Sequence, residues 1–153
     1  MTLDKIVVVK KATQLEELLR RYSTTSQVSF VLESRGQSFD FYKDAHEAYQ
    51  SGLRQTIASI PKGTRSQVVD KQDLSTFQFG KNDLVVAVGD DGMVVNVAKY
   101  IGEQPLISLN PDEERYDGVL SCCNPETFPS VLKSTMEEKV EIERLTMAEA
   151  RLD

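Results

Sequence analysis

Gly89-Asp90-Asp91-Gly92 follows directly on the apolar run Leu84–Val88, and no stretch of this chain is better suited to chemistry. A short run rich in β-branched residues reads as a buried parallel strand, and Met93–Tyr100 beyond the turn reads as a helix. That order sets carboxylates at the carboxyl edge of a sheet beside free N–H groups, where open α/β folds take phosphorylated ligands. Gly89 would supply the angles of a sharp strand-to-helix turn and let a phosphate reach the main chain. Asp91, beside the positive end of the helix, would accept a proton from a substrate hydroxyl or hold it in line with a phosphate, with Mg²⁺ assisting. Gly92 would keep the helix start close to the ligand. Asp90 and Asp91 equally suit a plain helix cap, and both readings stand.

A second turn begins at Asn110, just after Leu106–Leu109, a strand that in a parallel sheet ends near Gly89. Its amide suits a ribose or phosphate oxygen; Asn-Pro is also a common turn starter.

The elements that must position these turns follow from periodicity. Ile6–Val9 reads as the first strand. Thr13, with Glu16 three residues on, reads as a capping box for a helix with Leu15, Leu18, Leu19 and Tyr22 on one face. Ser26 is the expected cap of a second short helix, with Val28, Val31 and Leu32 inward and Gly36 as its stop. Apolar residues near every fourth position predict a long helix from about Phe39 to Ile60, ended by Pro61-Lys62-Gly63. Gln67–Val69 is a further strand, Asp73–Asn82 a polar connector, Gly118–Ser121 a short extended piece, and Pro125-Glu126 the opening of a last helix. The alternation of strands and helices predicts an α/β, three-layer Rossmann-like domain with a mostly parallel sheet. Val140–Leu145 alternates like a half-exposed strand, whose unpaired edge would favour a homo-oligomer.

With 153 residues the chain has room for one real core. A net charge of -6 argues against a nucleic-acid partner, while leaving room for a nucleotide bound through a metal ion and backbone amides. No run approaches the roughly 20 apolar residues that cross a bilayer, so no membrane partner is expected. The start carries no secretory signal, and a cytoplasmic location is the default. Cys122 and Cys123 are adjacent; on a strand they would face opposite ways and form neither an ordinary disulfide nor a zinc site, and no metal-ligand set is predicted. His46 reads as a surface or interface residue; Tyr22, Phe30, Phe39, Tyr49 and Tyr100 read as core. Asp112-Glu113-Glu114 reads as a solvated loop with Arg115 as counter-charge.

The two turns together resemble the NAD kinase family, whose hallmark is a strand, Gly-Gly-Asp-Gly-Thr and a helix, then a strand ending in an asparagine turn. Val88–Met93 matches the first element; Ile107–Arg115, leading into Gly118-Val119-Leu120, is most similar to the branch that includes the mitochondrial-type enzymes. The opening Lys5–Thr13 is similar to that branch as well. The resemblance implies the family's N-terminal domain over residues 1–139, with 140–153 starting a β-rich C-terminal domain. It implies phosphoryl transfer from ATP, with Mg²⁺, to the adenosine ribose 2′-hydroxyl of NAD, giving NADP. Asp91 matches the catalytic aspartate; Gly89, Asp90, Gly92 and Asn110 fall at nucleotide-binding positions. Asp90 replaces the family's second glycine and Met93 its threonine. Two alternatives follow: a catalytically degenerate nucleotide-binding or dimerisation module, and a lipid or sugar-phosphate kinase, since diacylglycerol kinases and 6-phosphofructokinases have a similar turn.

Overall fold

The runs Ile6–Val9 and Leu84–Val88 have no polar side chain to offer solvent, so both become central strands covered on two faces. In the computed structural model, which describes residues 2–152, they belong to β1 (Lys5–Lys10) and β3 (Asp83–Val88). Met1 and Asp153, the end points of the expected domain ranges, lie outside the described residues. Between the two strands come α1 (Gln14–Tyr22), α2 (Thr25–Ser34), α3 (Phe39–Ala58), β2 (Ser66–Asp70) and a short 3₁₀ turn at Lys71–Asp73. After β3 come α4 (Asp91–Ala98), β4 (Leu106–Leu109) and α5 (Phe128–Met136).

The four strands form one all-parallel sheet in the order β2-β1-β3-β4. Side chains alternate between its faces. Ile6, Val8, Leu84, Val86 and Val88 meet Tyr49 and Leu53 of α3 and Phe128 and Leu132 of α5. Val7, Val9, Val85 and Ala87 meet Leu74, Met93 and Val97, with Phe77 and Phe79 at the margin. Each fully buried Val, Leu, Ile or Phe contributes roughly 1.5–3 kcal/mol, so these layers supply the main driving force of folding. Helices α1 and α2 close a third cluster, around Leu15, Val28 and Leu32, against the start of α3. The architecture is therefore an α/β sandwich of three layers, consistent with a Rossmann-like fold.

The expected helices and strands form, with several differences. The Thr13 cap is present: its hydroxyl accepts the Glu16 N–H. The second helix is capped by Thr24 rather than Ser26, because the Thr24 hydroxyl accepts the Gln27 N–H and starts the helix earlier. Gly118–Ser121 forms no strand, because its bend is tied to Asp91 and to the Ser108 hydroxyl rather than to a ladder, and Val140–Leu145 forms none either. The strand edge expected to favour a homo-oligomer is thus not formed; Ile142, Leu145 and Met147 are simply exposed. Phe30 and Tyr100, expected in the core, are exposed because they lie on the outer faces of short helices or just past them. Among the described residues, no helix is long and apolar enough to cross a membrane.

Candidate functional site

The chain leaves β1 towards β2 on one side of the sheet and later returns to place β3 on the other side of β1. The carboxyl ends of β1 and β3 therefore flank a topological switch point, the place where open parallel sheets hold ligands. Lys11, one residue past β1, and Gly89-Asp90, just past β3, meet there. Lys11 Nζ lies 2.7 Å from Asp90 Oδ2, and its stem passes 3.6 Å from where a Gly89 Cβ would sit.

Asp90 is the N-cap of α4: its Oδ1 accepts the Met93 N–H at 3.0 Å. The reading of this aspartate as a cap therefore holds. Partial burial pushes its carboxyl upward, but hydrogen bonding and attraction from Lys11, aided by the Met93 N–H, outweigh that and hold it below its ordinary value. The added charge at this position is thus neutralised locally by Lys11.

Gly89 is needed for a different reason from the one expected. Left-handed glycine backbone occurs at Gly36 and Gly63, not at Gly89 or Gly92. A side chain at Gly89 would instead sit 2.9 Å from Met93 Cβ, so the glycine permits the first turn of α4 to close on β3. Gly92 is exposed at the helix start, with only Asp90 Oδ1 near, at 3.4 Å.

Asp91 opens α4, and its half-buried carboxylate reaches the loop after β4. Oδ2 accepts the Val119 N–H at 3.1 Å and Oδ1 the Leu120 N–H at 2.9 Å. The Gly89 turn and the asparagine loop are therefore brought together by Asp91 itself. A carboxylate has about four acceptor positions, so lone pairs remain for a substrate hydroxyl.

Asn110 is 2% exposed and its amide serves its own loop: Nδ2 donates to the Tyr116 carbonyl and Oδ1 accepts the Asp112 N–H. Its reading as a turn starter is the one the geometry expresses. Asp112, expected in solvent, is buried against Arg115 at 3.1 Å, while Glu113 and Glu114 are exposed. Gly52 in the middle of α3 makes room for this loop, since a Cβ there would lie 2.7 Å from Pro111 Cβ.

Two contributors escape sequence reasoning. Lys11 is legible only as a cation one residue past a buried strand. Tyr49, assigned to the core and indeed buried, also ties the two strand ends: its hydroxyl accepts the Lys11 N–H at 3.0 Å and donates to the Val88 carbonyl at 2.8 Å. Burial pushes its phenol well above the ordinary value, so it stays neutral. His46 is half-buried rather than free at the surface, with Nδ1 2.7 Å from Thr13 Oγ1 and 3.6 Å from Glu16 Oε1.

The site offers one capped helix N-terminus, a Lys–Asp pair and one carboxylate held on a loop. The first-turn amides of α4 and Lys11 suit phosphate oxygens. Among the described residues, no three His, Cys, Asp or Glu side chains are grouped to hold a metal ion. The Asp91 carboxylate is an oxygen ligand of the kind Mg²⁺ takes. No family model matches the chain, and no curated protein matches it.

Proposed function

We propose that this domain is the nucleotide-binding half of an ATP-dependent NAD kinase, transferring phosphate to the adenosine ribose 2′-hydroxyl of NAD. The observation that carries the reading is the meeting of the two resembling turns at the switch point, with Asp91 spanning them. On this reading ATP brings Mg²⁺, which supplies charge neutralisation for the transferred phosphate. Asp91 takes the proton of the attacking hydroxyl, and the Val119 and Leu120 N–H groups hold its carboxylate in one orientation. Lys11 balances Asp90, so polyphosphate meets a neutral pair rather than a bare charge. On this reading residues 1–139 are the nucleotide domain.

The test is twofold: calorimetric titration with Mg-ATP and with NAD, and NADP formation at high enzyme concentration, each repeated with Asp91→Asn. Binding of both nucleotides with turnover lost in Asp91→Asn supports the reading; no heat from either nucleotide would sink it.

A second reading, a degenerate binding or dimerisation module, is favoured by one observation. The Asn110 amide is already satisfied inside its loop and both Asp91 oxygens are already engaged. It predicts binding or self-association without turnover. A lipid or sugar-phosphate kinase would instead show turnover on diacylglycerol or a sugar phosphate and none on NAD.

A further inference from the structure

Beyond β4 the chain places its only two cysteines side by side outside any regular strand; Cys123 makes just one isolated bridge to Leu109. The alternation expected of strand neighbours therefore does not apply. Both sulfurs turn to the same carbonyl: Cys122 Sγ lies 3.2 Å and Cys123 Sγ 3.6 Å from Ser108 O. The Ser108 side chain holds the pair in place by accepting the Cys122 N–H at 3.0 Å. Cys122 is exposed and Cys123 buried, and both line a cavity of about 360 Å³ with Asn110, Glu113, Asp117 and Ser121.

The geometry points to Cys122 and Cys123 as a peroxide-sensitive dithiol, in which Cys122 reacts with the oxidant and Cys123 closes on it to form a vicinal disulfide. The Cys122 thiolate attacks one peroxide oxygen; an S–O bond forms, the O–O bond breaks, and the departing hydroxide takes a proton to become water. The Cys123 sulfur, giving up its proton, then attacks the Cys122 sulfur; the S–S bond forms and the S–O bond breaks, releasing a second water. Two thiols are oxidised and one peroxide is reduced to two waters.

Electrostatics fit this division of labour. Hydrogen bonding from the Cys123 thiol, against the opposing push of partial burial, holds the Cys122 thiol down at about 6. The same hydrogen bond, burial and the nearby Glu113 push Cys123 up, so it stays protonated until Cys122 has reacted. The carboxylates of Glu113 and Asp117 in the cavity favour a small neutral oxidant such as hydrogen peroxide over an anionic one.

The experiment treats the chain with hydrogen peroxide and reads intact mass, free thiols and a non-reducing gel. The expected result is loss of two hydrogens, no free thiol, no crosslinked dimer, and full reversal by dithiothreitol. Cys123→Ser should stop at one added oxygen, trapped by dimedone, while Cys122→Ser should keep its thiol over the same time. The oxidation rate should rise with a midpoint near pH 6, and at that pH exceed that of free cysteine about tenfold, once the weaker nucleophilicity of a low-pKa thiolate is allowed for. Crosslinked dimers, oxygen addition without disulfide in the native chain, or Cys122→Ser reacting as fast as the native chain would each overturn the proposal.

Discussion

The turn after β3 and the loop after β4 leave the same sheet edge as neighbours, yet they use their polar groups in opposite ways. Gly89 and Asp90 alone separate β3 from α4, and so short a turn has few groups with which to satisfy the helix start. Asp90 caps one amide, Met93 N–H, and the helix end remains a place for an anion. The loop from Asn110 to Thr127 is long enough to satisfy itself. Asn110 binds both sides of its turn, Ser108 Oγ donates to the Leu120 carbonyl, and Asn124 accepts the Glu126 and Thr127 N–H groups ahead of α5. Brevity leaves donors for a ligand, whereas length lets a loop become its own ligand. Among the described residues, Asp91 is the side chain whose hydrogen bonds join the two.

The sharpest way to break this contrast is to compare the two aspartates. Asparagine caps a helix as well as aspartate does, so Asp90→Asn should leave α4 intact and lower NADP formation less than about tenfold. On the proposed reading Asp91→Asn removes the base, and it turns an amide NH₂ towards one of the two backbone donors; turnover should fall by about 10²–10⁴. Amide exchange at Val119 and Leu120 should quicken in Asp91→Asn and stay unchanged in Asp90→Asn. Equal losses of turnover in both variants would mean that the two carboxylates are not divided between cap and chemistry.

The self-satisfied loop makes the next prediction. Asn110→Ala leaves the buried Asp112 N–H and the Tyr116 carbonyl without their partner, at a cost of about 1–3 kcal/mol in denaturant unfolding. If Asn110 instead serves mainly a bound nucleotide, stability will hardly change while affinity falls. A smaller effect is expected across the interface with α3. Gly52→Ala gains about 1 kcal/mol of helix propensity but drives a methyl to 2.7 Å from Pro111 Cβ. Overpacking of this kind costs about 1–3 kcal/mol, so the net change should be a loss of up to about 2 kcal/mol, read as a lower unfolding midpoint.

What the sequence revealed and what it hid divide along the same physical line. Leu84–Val88 and Ile6–Val9 were legible as buried strands because burial on both faces demands an unbroken apolar run. Thr13 was legible because a helix cap is local, although the Glu16 carboxylate that would have completed a capping box accepts the Gln50 amide instead. The special backbone angles expected of Gly89 are not used: its need for space comes from Met93 packing back on the strand, which periodicity does not show. Lys11 and Asp90 are 79 positions apart, and Tyr49 lies 38 and 39 positions from its two partners, so only the fold brings them together. The cysteines misled because alternation was applied to residues that belong to no strand. Except at Gly89, whose partner is four residues away, the hidden part is a long-range contact or an irregular loop.

The smallest predicted effect isolates the Lys11–Asp90 pair, the feature that makes an acidic turn compatible with an anion. Asp90 has its pKa lowered in the folded chain, so its ionised form stabilises folding at pH above the ordinary value of 3.8. That contribution is lost as pH falls below 3.8 through the lower folded value, because the proton taken up there binds the unfolded chain more readily. Lys11→Met keeps the stem against Gly89 but removes the cation, so the Asp90 pKa should rise and this acid-dependent part of stability should shrink. For a half-exposed pair the change near pH 7 should stay below about 1 kcal/mol. Unfolding curves at pH 7 and at pH 3 for both chains provide the measurement: the difference between chains should be larger at pH 7 than at pH 3. A difference of the same size at the two pH values would show that Lys11 stabilises the edge without its charge, and would leave the charge of Asp90 without its counterweight.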